Sequence, residues 1–197
     1  MNNPEKKSEF LAGYIQGTKI YDMGADSLGS WAWPDGKTLH NHLENKTGKK
    51  IISVDKFGKP DIQTDLNDIL PIKSNSADTI IASEVIEHLT NPFLFLSECK
   101  RIIKPEVGTI ILTTPNALSL AEFQQYWTSA IHGREYGEHL FNWHRINMDN
   151  LIKEVGLEII HFEYISFHWK RNYLFRFLSH FIPILRPSLF YILRKKR

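Results

Sequence analysis

Short apolar runs alternate along the chain with longer stretches in which apolar positions recur every three or four residues. Lys19–Met23 (KIYDM), Ile51–Val54 (IISV), Thr79–Ala82 (TIIA) and Thr109–Thr113 (TIILT) are the clearest runs, each bounded by polar or turn-forming residues. Runs this short with little alternation are expected of strands covered on both faces, as in a parallel sheet under helices. Pro92–Ile103 places Phe93, Leu96, Cys99, Ile102 and Ile103 on one helical face, and Lys104-Pro105 ends it. Asn147–Val155 reads as another helix, with Asn147 as its N-cap and Gly156 just beyond its end. Leu157–Ile165 follows as a strand. Arg171–Ile182 is apolar on most sides, Pro183 and Pro187 bracket a turn, and Ser188–Leu193 reads as a last strand before an RKKR tail. The alternation predicts an α/β fold with a doubly wound, mostly parallel sheet.

The length of 197 residues suits a single domain. Its expected parts are a core over 18–165, an apolar, basic helix and turn over 170–187, and the last strand over 188–194. Cys99 is the only cysteine, which excludes an intramolecular disulfide and any cysteine-based zinc cluster. No charge-free apolar run is long enough for a transmembrane helix, and MNNPEKKSEF lacks the apolar stretch of a secretory signal. The cytoplasm is therefore the expected compartment. The net charge of +2 hides an asymmetry. Tyr164–Arg197 carries eight basic residues and no acidic one, leaving sixteen basic and twenty-two acidic residues elsewhere. Three readings of this basic, aromatic end stand open: peripheral membrane contact through Arg171–Ile182, a lid or homodimer helix, and nucleic-acid contact by RKKR. Four basic residues without a reading motif are a poor nucleic-acid signal, so no nucleic-acid partner is assigned.

Candidate chemistry collects just after the short runs. Asp22-Met23-Gly24 closes the first, at the sheet edge where doubly wound folds bind ligands. Glycine there lets backbone approach a ligand closely. Asp55 closes the second run, where a carboxylate can accept hydrogen bonds from the ribose hydroxyls of an adenosine. Asp65-Leu66 follows ten residues later, a pair suited to the edge and face of an adenine ring. The lone Gly24 argues against a dinucleotide fingerprint, which needs three spaced glycines around a pyrophosphate.

KIYDMGA, IISVD and the stretch DLNDILPIKSNSADTIIASEVIEHLTNPFLFLSECKRIIKPEVGTIILTTPN together resemble the class I S-adenosylmethionine-dependent methyltransferases. The later HLFNWHRINMDNLIKEVGLEII resembles that family's acceptor-side loop and last crossover helix. The resemblance covers about 19–165 and implies a Rossmann-like, seven-stranded sheet whose last strand inserts antiparallel beside the fifth. It implies S-adenosyl-L-methionine as cofactor. Asp22, Gly24 and Ala25 would then form the cofactor loop, Asp55 and Lys56 the ribose side, Asp65 and Leu66 the adenine border, and Ser83 and Glu84 the methionine end. The chain departs from the family at Asp26, which stands where a second glycine is usual. That departure supports a rival reading, a catalytically silent cofactor-binding or scaffold protein.

Methyl transfer to a hydroxyl needs alignment, exclusion of water and removal of a proton. His88 and His139 are the candidate catalytic bases, with His144 behind them. Glu84, Glu87 and His88 would share a helical face, and a similar cluster appears in O-methyltransferases of ubiquinone biosynthesis, where the resemblance implies a metal. Capping by Glu87 and packing by His88 explain the same residues, and no metal ligand is assigned. His40 and His42 are expected to be solvated helix residues. Trp31 and Trp33 suit either a cofactor lid or loop packing. Tyr136, His139, Phe141, Trp143 and His144 suit an acceptor pocket on a loop. The expected acceptor is a small molecule or a glycan or lipid-linked intermediate, methylated on oxygen.

Overall fold

A computed structural model describes residues 4–25, 36–132, 139–166, 177 and 179–196. Asp26, Trp31, Trp33, Tyr136, Arg171–Arg176 and Leu178 lie outside these residues, so the readings placed on them concern sequence alone. The elements run α1 (Pro4–Ala12), β1 (Ile20–Met23), α2 (Leu39–Thr47), β2 (Ile52–Asp55), β3 (Ile62–Gln63), β4 (Thr79–Ser83), α3 (Pro92–Ile102), β5 (Thr109–Pro115), α4 (Leu120–His132), α5 (Arg145–Val155), β6 (Leu157–Ile165) and β7 (Ser188–Lys195). A 3-10 turn, Ile86–His88, follows β4, and another, Pro183–Leu185, precedes β7.

The strands form one seven-stranded sheet in the order β3-β2-β1-β4-β5-β7-β6. The first five are parallel, and β7 runs antiparallel between β5 and β6. The order reverses at β1 and β4, so the loops leaving these two strands diverge and open a crevice at their carboxyl ends. Burial on both faces explains the unalternating sequences. Along β4, Ile80 and Ala82 face a core built with Phe95, Leu96, Cys99 and Ile102 of α3 and Met148 and Ile152 of α5. Ile81 faces the opposite layer, with Leu11 of α1 and Leu43 of α2.

Caps account for the helix limits. Asn91 Oδ1 accepts the Leu94 N–H at 3.0 Å and starts α3. Phe93 lies on the solvent side of that helix, and Phe95 takes the core position instead. Helix α5 begins two residues before Asn147, whose side chain reaches back to accept the His144 N–H at 2.8 Å. Gly156 ends α5 with φ at 76°, a conformation glycine adopts without steric cost. Strand β3, at two residues, is too short to leave a periodic signal.

Candidate functional site

The crevice is lined from the ends of β1, β2 and β4. Register places Asp22 beside Ser53 and Met23 between Val54 and Ala82. The chain then leaves β1 through Gly24, whose N–H donates to the Val54 carbonyl at 2.8 Å. Gly24 has φ at 78°, and a Cβ there would lie 2.4 Å from Val85 Cγ2. Only glycine fits this turn without moving Val85, which keeps the first loop close to the start of the β4 loop.

Two buried carboxylates sit under this turn. Asp22 is enclosed by strands, and Oδ2 lies 3.1 Å from His40 Nδ1. Burial raises the Asp22 carboxyl above its ordinary value; the hydrogen bond from His40 and its charge oppose this, while Asp55 adds to it. For His40, burial disfavours the charged ring, but the bond to Asp22 together with the charges of Asp22, Glu44 and Asp61 outweighs it and raises its pKa. His40 is therefore a half-buried partner of the loop carboxylate and not the solvated residue expected; His42 is half-buried as well. Asp55 is also buried, and its Oδ1 accepts the Phe57 N–H at 2.9 Å, which fixes the turn after β2. Lys56 Nζ reaches Asp65 Oδ2 at 2.6 Å, and Asp65 Oδ1 accepts from the backbone and side chain of Asn67, each at 3.0 Å. Leu66 beside it is buried. Ala25 ends the described part of the first loop.

The β4 end carries a linked set of hydroxyls and carboxylates. Glu84 has φ at 56°, an unfavourable backbone conformation for a side-chain-bearing residue. It is held by its N–H to the Thr113 carbonyl at 2.9 Å and by Thr113 Oγ1, which donates to Glu84 Oε1 at 2.9 Å. Because Thr113 uses its proton on Glu84, Ser83 donates to Thr113 at 2.9 Å. Lys7 of α1 completes the set, with Nζ 3.5 Å from Glu84 Oε1. The polar PEKKSEFLA segment gives no local sign that Lys7 reaches this far.

Beyond Glu84 the chain turns back, and Glu84, Glu87 and His88 do not share the expected helical face, because only Ile86–His88 is helical, as a 3-10 turn. Glu87 points inward, 1% exposed; Oε2 accepts from Thr114 Oγ1 at 2.9 Å, and its carbonyl accepts the N–H groups of Leu140 and Phe141 at 2.8 and 3.1 Å. Burial, then the Glu84 charge, pushes this carboxyl well above the usual range. His88 points outward, and its ring meets that of His139 edge-on with centroids 4.9 Å apart. The structure thus brings together the two imidazoles proposed from sequence, one from the turn after β4 and one from the segment before α5. That segment is pinched at its base. Ala117 N–H donates to the Trp143 carbonyl at 2.8 Å, and Asn116 Nδ2 donates to the carbonyls of Ile184 and Arg186 at 2.7 and 2.8 Å. Trp143 is buried and stacks on Phe141. His144 is the half-buried residue just before α5.

A methyltransferase-domain family matches residues 23–162, from the end of β1 well into β6. The chain belongs to this family. A probable S-adenosylmethionine-dependent methyltransferase of Mycolicibacterium smegmatis is 28% identical over 90 residues, a stretch that is 46% of this chain and 32% of that protein. The chain thus spans about a third of the curated relative it matches. A SAM-dependent methyltransferase from Archaeoglobus fulgidus superimposes with a TM-score of 0.66 at 17% identity, covering 97% of this chain and 92% of that one. The 1,6-didemethyltoxoflavin-N1-methyltransferase of Burkholderia thailandensis, solved with bound 1,6-didemethyltoxoflavin and S-adenosylhomocysteine, gives a TM-score of 0.63 at 8% identity, covering 100% of this chain and 80% of that one. At such identities the structural likeness speaks to the fold.

The methyltransferase family's cofactor is S-adenosylmethionine, and the donor set of this crevice fits it. Two buried carboxylates under a glycine turn supply acceptors for hydroxyl and ammonium groups. Among the described residues, no helix is long and apolar enough to cross a membrane.

Proposed function

We propose that this chain transfers a methyl group from S-adenosylmethionine to a hydroxyl oxygen of a small molecule, glycan or lipid-linked acceptor bound over His88 and His139. The observation that carries the reading is the meeting of these two rings beside the β4 loop, at the open end of the crevice. The bound cofactor supplies an electrophilic methyl on a sulfonium, which passes to the acceptor oxygen as the S–C bond breaks and a neutral thioether remains. In this reading Asp22, Gly24 and Ala25 shape the cofactor loop, and Asp55 with Lys56 receives the ribose. Asp65 and Leu66 border the adenine, and Ser83 and Glu84 face the methionine end. The imidazoles hold the acceptor hydroxyl in line and take its proton, the step an oxygen nucleophile needs and a sulfonium cannot supply.

Calorimetric titration with S-adenosylhomocysteine tests the cofactor half. Wild-type protein should bind it, and Asp55→Ala should weaken binding by about tenfold or more while the circular dichroism spectrum is kept. Unchanged affinity in that variant would remove the ribose assignment. A turnover screen over phenolic and sugar alcohols, read by methyl transfer from labelled cofactor, tests the acceptor half. In such a screen His88→Asn and His139→Asn should each lower turnover by about a hundredfold or more.

A further inference from the structure

Glu87, His88 and His139 each present one ligand atom within 4.8 Å of the other two. We propose that these three side chains hold a single divalent transition-metal ion, of the zinc class, on the acceptor side of the crevice. Two observations carry this independently of each other.

The first is the donor set. Two imidazole nitrogens and one carboxylate oxygen suit zinc and its first-row neighbours; magnesium and calcium prefer all-oxygen surroundings. Three protein ligands leave a coordination position open, as catalytic zinc sites do. The second is the state of Glu87. Its side chain is nine-tenths and more buried, yet Oε1 accepts no hydrogen bond. That oxygen lies 3.9 Å from His88 Nε2. Both carboxylate oxygens are buried, but only Oε2 is satisfied, by Thr114. The unsatisfied atom is the one turned toward the imidazoles. A buried polar atom without a partner is costly, and a cation at Oε1 is the partner its chemistry calls for.

The supporting groups are those a metal site needs. Thr114 Oγ1 orients Glu87 from behind, and the Leu140 and Phe141 N–H groups bind the Glu87 carbonyl, which ties the His139 segment to the same turn. Glu84 is excluded from the set, because its carboxylate is committed to Thr113 and Lys7. The ligands are therefore not the Glu84, Glu87 and His88 group that the sequence spacing suggests.

The inference rests on the methyl-transfer reading for its role and deepens it. An acceptor hydroxyl entering the open position would bind the cation through oxygen, lose its proton more readily there, and present that oxygen to the methyl group. With their ring nitrogens on the cation, His88 and His139 would serve as ligands and no longer as bases, and the acidified hydroxyl would release its proton to water. The substrate class narrows to alcohols and phenols that can bind a metal through oxygen.

The test uses full-length protein stripped by a chelator, then titrated with Zn²⁺ by calorimetry and with Co²⁺ by visible absorption. One equivalent should bind, and Co²⁺ should show the intense band of a low-coordinate site. His139→Ala and Glu87→Gln should each weaken Zn²⁺ binding by about tenfold or more. Absence of a stoichiometric site, or equal affinity in both variants, overturns the proposal; the latter would place the ion on other histidines. Should Glu87→Gln fail to fold, His139→Ala decides alone, since His139 lies outside the buried core. S-adenosylhomocysteine titrated into the same metal-free samples reports on the methyltransferase reading separately. Cofactor binding without metal binding overturns the metal site alone, and metal binding without cofactor binding overturns the other reading alone.

Discussion

Truncating His40 to alanine removes the ring nitrogen that lies 3.1 Å from Asp22 Oδ2 and leaves a buried carboxyl to face strand and glycine turn without it. A hydrogen bond to a charged group contributes about 1.5–3 kcal/mol, and breaking a fully buried ion pair costs about 3–5 kcal/mol. The two side chains are 13% and 5% exposed, close to buried but open to water on the His40 side. A loss of about 2–3 kcal/mol in unfolding free energy is therefore expected. The pH dependence has a fixed sign. Asp22 raises the folded-state pKa of His40 above its ordinary value. The charge-assisted stability is thus fully present below the unfolded histidine pKa of about 6.5 and is lost as pH rises through the higher folded value. The difference between wild type and variant should be largest near pH 6 and narrow toward alkaline pH. In the variant, burial of Asp22 is no longer opposed by His40, so its pKa moves further up. Affinity for S-adenosylhomocysteine should then rise with pH more steeply in the variant than in wild type. Urea unfolding and calorimetric titration across that range measure both. A variant with wild-type stability and a parallel pH profile would refute the view that His40 sustains the loop carboxylate.

Gly24→Ala introduces a methyl 2.4 Å from Val85 Cγ2 at a left-handed backbone position. It should cost about 1–3 kcal/mol of stability and markedly weaken cofactor binding. The double variant with Val85→Ala should recover part of the stability, a recovery thermal melting can read. Asp78 accepts from Thr18 N–H, Lys19 N–H and Lys104 Nζ, the last at 2.6 Å, and its pKa is lowered to about 2, chiefly by Lys104. Its stabilisation is complete above the unfolded aspartate pKa of about 3.9 and is lost as pH falls toward 2. Asp78→Asn should therefore cost about 1–2 kcal/mol at pH 7 and flatten the acid limb of the unfolding profile. An unaltered acid limb would place that dependence elsewhere.

The parts of the fold that were legible in sequence are those whose signal is local. β1, β4 and β5 are buried on both faces and β2 at its carboxyl end, so their apolar runs mark them within a residue or two. Asp22 lies near the end of its run and Gly24, Asp55, Ser83 and Glu84 follow theirs, and a parallel sheet brings all such positions to one edge whatever the loops do. Helix α1 escaped, and α2 was read only through His40 and His42, because each contributes few side chains to the core: Leu43 is the one buried residue of α2. α4 buries none of its residues, so its apolar positions have no core to announce. His40 and Lys7 act across the fold, 18 and 77 residues from their partners, and nothing in their neighbourhood records it. The one usable sign for His40 was Thr38-x-x-Asn41, a reciprocal cap that starts α2 and sets His40 in its first turn. The composition of the Glu87, His88 and His139 cluster was half legible. His88 and Glu87 are adjacent in sequence, but only the backbone bonds between Glu87 and Leu140–Phe141 choose His139 over Glu84 as their companion.

The pinch between Ala117 and Trp143 makes the intervening stretch a detour that returns to its point of departure. A chain segment closed on itself in this way can lengthen, shorten or be exchanged at little entropic cost, because closure depends only weakly on loop length. The sheet and the cofactor-side turns are completed without it, since β5 ends before it and α5 begins after it. In the methyl-transfer reading proposed above, donor chemistry and acceptor choice are thereby placed under separate selection. Descendants of such a chain can acquire new acceptors by grafting between 117 and 143, provided each graft carries back one residue able to meet Glu87.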